Sequence, residues 1–171
     1  MAKKEPKTIN EFLIIEPIIG YREWMYSHDK DHQLKLVGTG SGNNCFWEPG
    51  INIAKCLYKC KKAPNFKCSC GFYALKYKVD LFKELFLPSP TQFYASAGYS
   101  VGYNNDDYSI YGEVELTGKV IEHRDGYRAE KAEIKKLIYI DMDKIKLEFL
   151  TKYYKVPIVY YKDYFEMVFK K

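Results

Sequence analysis

The chain has 171 residues, 47% hydrophobic and 17% aromatic, and its 27 Lys and Arg against 22 Asp and Glu give a net charge of +5. That length suits one domain with a sizeable core, and seventeen Tyr and ten Phe favour β-structure. No apolar run reaches the roughly 18 residues of a membrane-crossing helix, so a membrane protein of that kind is excluded as an expectation.

The start, MAKKEPKTINEFLIIEPIIGY, breaks its apolar stretch with Glu11 and Glu16 and shows no cleavage site, so no signal peptide is expected. Residues 1–10 read as a polar, frayed tail, and 11–171 as a single globular domain. IIGYREWMY and QLKLVG read as two strands around the polar SHDKDH, which predicts a hairpin. His28 and His32 in that connection sit in a turn and make a poor metal pair. VGTGSGNN alternates glycines but lacks the lysine–serine pair and following helix of a nucleotide loop, so a plain loop is expected. Trp47-Glu48-Pro49-Gly50 reads as a turn.

Next comes CLYKCKKAPNFKCSCGFYALK, residues 56–76, with four of the five cysteines and no acid. Five is an odd number for a disulfide framework, and with no export signal the expectation is a reducing, cytoplasmic setting. Cys56, Cys60, Cys68 and Cys70 make two close pairs separated by a turn at Pro64 and Asn65. Two such pairs can face each other around one tetrahedral zinc ion, and Gly71 lets the backbone bend closely past the last sulfur. The Cys-x-Cys pair is tighter than the gap of ordinary zinc fingers. Burial as small hydrophobes and redox use are the competing readings. Cys45 is a core residue or a substitute ligand. The whole reads as a zinc knuckle inserted over 45–76.

Seven lysines lie in residues 55–78. A four-thiolate zinc site carries about −2, which neighbouring lysines offset. Seven exceed that need, so an anionic partner is expected, nucleic acid or an acidic protein. Lys59, Lys61, Lys62 and Lys67 are the candidate phosphate contacts, and Tyr58 and Tyr73 the candidate stacking residues.

VDLFKELF predicts a short helix, and SAGYSVGYNNDDYS a loop. IYGEVELTGKVIEH alternates, with Ile110, Val114, Leu116 and Val120 on one face and Tyr111, Glu113, Glu115, Thr117 and Lys119 on the other. Asp125-Gly126 then predicts a tight hairpin into YRAEKAEIKKLIYI. Glu122, His123, Asp125 and Arg128 at that turn are the alternative reading, an acid–base centre of an enzyme acting on nucleic acid or a nucleotide. Arg128 and Glu130 suggest an ion pair. Asp141 is expected to cap a helix over 142–154, with Met142, Ile145, Phe149, Leu150 and Tyr153 on one face; Pro157 ends it, and IVYY reads as a last strand. The fold class is α+β: a mainly antiparallel, partly closed sheet with one or two helices and a cysteine-rich knuckle.

Trp47 to Gly50, Cys56, Ala63-Pro64, CSCGFYALK and GEVELTGKVIEHRDGYRAEKAEIKKL together resemble a group of small bacterial, phage and mobile-element proteins, across about residues 20–160. No activity is assigned to that group, so the resemblance implies none. Its pattern has a histidine before the proline where this chain reads CKKAP, with Cys60 nearest. A cysteine in place of a histidine suits metal ligation better than histidine catalysis.

Overall fold

The computed structural model describes residues 8–9, 17–38, 46–56, 60–78 and 109–169. The expected helix over 79–86, the loop after it, and Cys45, Tyr58 and Lys59 lie outside the described residues.

The architecture is α+β, a sheet of eight strands with two helices among the described residues. Its centre is the long antiparallel hairpin of β6 (Ser109–Glu122) and β7 (Gly126–Tyr139). The faces of β6 are those that its alternation predicts: Ile110, Val114, Leu116 and Val120 are all fully buried. Tyr111, expected on the polar face, is buried as well, because a second small core of Tyr21, Tyr111, Ile138 and Tyr164 covers that end of the sheet.

The other strands add to the two edges of this hairpin. β1 (Thr8–Ile9) and β2 (Ile18–His28) lie along β6, so part of the expected tail is a strand. β3 (Leu34–Gly38) pairs with the far side of β2 as the predicted hairpin. Asp29 builds its turn, accepting from the backbone N–H groups of Asp31 and Gln33 at 2.9 and 3.0 Å. β4 (Ile51–Ile53) and β5 (Phe72–Leu75) both pair antiparallel with β7. β5 also meets β2 at Tyr21 and Leu75, and the Arg22 guanidinium donates to the Tyr73 carbonyl at 2.9 Å. β2, β6, β7 and β5 thereby close into a ring. Inside it Trp24 and Trp47 pack edge to face with centroids 5.4 Å apart, and Phe72 packs tilted on Trp47 at 4.7 Å.

The tight hairpin forms, but not for the expected reason. His123 N–H bonds the Gly126 carbonyl at 2.8 Å, and Gly126 has no positive φ. A Cβ at Gly126 would stand 2.5 Å from the Ala74 carbonyl oxygen. The glycine therefore serves the close approach of β5.

Helix α1 (Lys144–Tyr154) is capped by Asp143 rather than Asp141; the Asp143 carboxylate accepts from Lys146 N–H at 2.9 Å. It buries Leu150 and Tyr154, whereas Ile145 is 81% exposed. The helix ends at Lys155 in a left-handed conformation, two residues before Pro157. β8 (Ile158–Tyr160) then runs parallel to β7, and α2 (Tyr161–Phe169), absent from the sequence reading, seats Tyr164 on Glu113 at 2.6 Å.

Candidate metal centre

β4 and β5 are two parts of one line along β7. Ile53 stands opposite Lys131, Ala54 bonds Glu130, and Phe72 stands opposite Ala129. The chain therefore leaves the sheet after Ala54 and returns at Phe72 one step further on. The described residues 55–56 and 60–71 lie outside the sheet between them and carry all four cysteines of the cluster.

Several contacts shape that excursion. Asn65 forms an Asx turn, its side-chain oxygen accepting from Lys67 N–H at 2.9 Å while its carbonyl accepts from Cys68 N–H at 3.1 Å. The buried Arg128 of β7 donates through Nη1 to the Cys68 carbonyl from beneath. Gly71 sits at φ +123°, and a Cβ there would lie 2.6 Å from Arg128 Cγ. Only glycine lets the loop settle onto the arginine. Tyr73 adds a hydroxyl bond to the Ser69 carbonyl at 2.7 Å.

The four sulfurs all lie within 4.8 Å of one another, and Cys56 Sγ and Cys68 Sγ are 3.7 Å apart. A disulfide needs about 2.05 Å, so this pair is not bonded. Four thiolates at about 2.3 Å from a tetrahedral ion would be spaced by about 3.8 Å. The spacing matches. The Cys60 N–H donates to Cys56 Sγ at 3.4 Å, as a metal-bound thiolate requires of its surroundings. Without a cation two of the thiols are harder to ionise: hydrogen bonds with Cys56 and Cys68, then burial, push the Cys60 thiol up to about 12. Burial, then Cys68, raises Cys70. Crowded thiols that cannot all ionise alone can do so around a positive ion. The cluster can hold a metal ion.

The lysines around the loop are outward. Lys61 and Lys67 are exposed, and Lys62 is exposed but reaches Glu130 at 3.2 Å. Phe66 is exposed beneath the Lys119 ammonium, 5.5 Å from its ring centre. Tyr73 is exposed, with the Arg128 guanidinium 5.8 Å from its ring centre.

The polar residues of the β6–β7 turn are dispersed. Glu122 binds Lys76 at 2.6 Å. Asp125 faces solvent beside Arg124, at 3.4 Å. Arg128 serves the cysteine loop, and the Nε of Arg128 and the Nε2 of His123 are buried without a hydrogen-bond partner. Glu130, expected to pair with Arg128, instead takes Lys62 and the Lys119 N–H, the latter at 3.1 Å. The link between Arg128 and Cys68 escaped sequence reading; an arginine sixty residues from the cysteines carries no local sign of it.

No helix is long and apolar enough to cross a membrane among the described residues. No protein-family model, curated protein or solved structure matches the chain.

Proposed function

We propose that the protein is a zinc-stabilised binding protein, cytoplasmic and of the phage and mobile-element group it resembles, that contacts single-stranded nucleic acid through the knuckle. Zinc is the ion because four thiolates in a tetrahedron suit it. What carries the reading is the ligating spacing of Cys56, Cys60, Cys68 and Cys70 in a loop where Lys61, Lys62, Phe66 and Lys67, among the described residues, are exposed. A metal-held loop presents Lys59, Lys61, Lys62 and Lys67 as a fixed group of charges, and Tyr58, Phe66 and Tyr73 as stacking surfaces.

The alternative is an enzyme acting on nucleic acid or a nucleotide through Glu122, His123, Asp125 and Arg128. The pairing of Glu122 with Lys76 and the exposure of Asp125 favour the binding protein.

Metal analysis of the purified chain should find one zinc, and labelled single strands should bind with salt-sensitive affinity. Replacing Lys59, Lys61, Lys62 and Lys67 with Ala should flatten the dependence of log affinity on log salt by about 0.7 per lost contact. Loss of either Tyr58 or Tyr73 should cost about 1–3 kcal/mol. Metal-loaded protein without salt-sensitive affinity for any DNA or RNA removes nucleic acid and leaves an acidic protein as partner.

A further inference from the structure

β4 presents an edge of the sheet that the knuckle does not use. In antiparallel pairing, hydrogen-bonded and non-hydrogen-bonded partners alternate. Ala54 N–H bonds the Glu130 carbonyl at 2.8 Å, and the pairs run Ile51–Glu133, Asn52–Ala132 and Ile53–Lys131. The backbone groups of Asn52 and Ala54 therefore face β7, and the N–H and C=O of Ile51 and Ile53 point the other way. β4 ends the order of strands, and no strand lies beyond it among the described residues.

The side chains of the same two residues are 63% and 60% exposed. Proteins usually guard such an edge with charge or proline within the strand. Here the middle residue is Asn52, and its amide is turned back into the preceding turn, bonding Glu48 and Gly50 carbonyls at 2.9 and 3.1 Å. Around the isoleucines the free charge is positive. Lys131 stands beside Ile53, and the exposed Lys55 follows two residues later. Neither has a carboxylate in contact among the described residues. Glu133, beside Ile51, is taken by Lys135 at 2.9 Å.

We infer that the β4 edge is a docking site for an extended segment of a partner protein that carries aliphatic residues and, two positions on and on the same face, an acidic one. The segment adds a strand: its backbone bonds the outward groups of Ile51 and Ile53, its aliphatic side chains cover theirs, and the carboxylate two residues on, on that same face, meets Lys55 and Lys131. A second copy of the chain fits less well. Antiparallel pairing of β4 with itself is bounded by Pro49, and the nearest acid it brings, Glu48, is already bound to Lys35 and Tyr153. The inference concerns residues outside the cysteine loop and holds whether or not the knuckle binds nucleic acid.

The test uses the full, metal-loaded chain labelled with nitrogen-15, titrated with a capped peptide that repeats Val-Thr-Val-Thr-Glu-Thr, so that Val and Glu share one face, and with its counterpart in which Lys replaces Glu. The expected result is a saturable shift of the Ile51 and Ile53 amides with the acidic peptide, at least about tenfold tighter than with the basic one. Ile53→Pro removes an outward N–H while sparing the pairing with β7, as proline does at an edge, and should weaken binding about tenfold. Lys55→Glu with Lys131→Glu should reverse the preference between the peptides without touching the backbone. Absence of shifts at millimolar peptide overturns the inference. So does equal binding of both peptides, or an oligonucleotide that moves these amides in the acidic peptide's place. A concentration-dependent dimer in the ultracentrifuge that Ile53→Pro abolishes overturns it in favour of a second copy.

Discussion

Arg128 joins the two halves of the molecule with one side chain. It is 4% exposed, donates to a carbonyl of the cysteine loop and carries the Tyr73 ring on its guanidinium. Arg128→Met keeps its length and loses the charged hydrogen bond, so unfolding should show a loss of about 1.5–3 kcal/mol and chelators should strip the ion faster. An unchanged metal off-rate would show that the arginine supports the sheet alone. His123 makes a second residue-scale prediction. Burial, with the charges of Arg128 and Lys76, holds its pKa below the usual histidine value. The folded chain then binds fewer protons than the unfolded chain as pH falls below about 6.5, so stability is fully present above that value and declines on the acid side. His123→Gln should flatten that decline in melting temperatures taken between pH 5 and 7.5. At this scale the cysteines were legible, because few residue types have so few reasons to cluster. The partners of Arg128 and Glu130 were not, because proximity in sequence suggested each to the other while the fold gave each to residues of the knuckle and its surroundings.

The long hairpin was legible at the scale of elements: β6 alternates over many residues and Asp125-Gly126 marks its end. Helix α1 was legible in existence but not in orientation. Its buried face is set by Tyr154, whose hydroxyl accepts from Leu36 N–H at 2.8 Å and donates to the Trp47 carbonyl at 2.9 Å. Those partners lie more than a hundred residues away, and no periodicity within the helix reveals them. Burial, against the opposing pull of the Leu36 N–H and with Tyr153 and Glu48 nearby, pushes its ionisation far above the ordinary tyrosine range. Tyr154→Phe should leave both backbone groups unsatisfied and cost about 1–3 kcal/mol in denaturant unfolding. Gly126→Ala tests the other close fit. Its methyl would press on the Ala74 carbonyl, and a loss of about 1–3 kcal/mol is expected, with β5 amides exchanging faster than those of β6. β8 was read from IVYY, but α2 was not, since a helix that starts at once after three residues of strand gives its period little room to show.

Over the whole molecule, the ring of β2, β6, β7 and β5 is closed by its shortest member. β5 has four residues, of which one pairs with β2, and it is reached through the cysteine loop. Chelation should therefore act on the barrel's seam rather than on its central hairpin. Hydrogen exchange after metal removal should rise first at residues 72–75 and at Tyr21, while β6 and β7 keep their protection. Uniform exchange throughout would mean that the ion holds the entire fold. A partly closed sheet was expected from the sequence, but not which strands close it, because that rests on pairings between strands far apart in the chain.

The collinearity of β4 and β5 has an architectural meaning. A loop that leaves a strand and rejoins it one position later leaves the register of everything else untouched. Such a segment can be removed without shifting any strand, although Arg128 and Glu130 then lose the Cys68 carbonyl and Lys62 as partners. Its presence costs only the entropy of tethering both ends, about 2–3 kcal/mol for a loop of this length, which a bound ion readily exceeds. A chain with Ala54 joined directly to Phe72 should fold to the same barrel, and its melting temperature should no longer respond to a chelator. The response to metal would then belong to the excursion and not to the barrel.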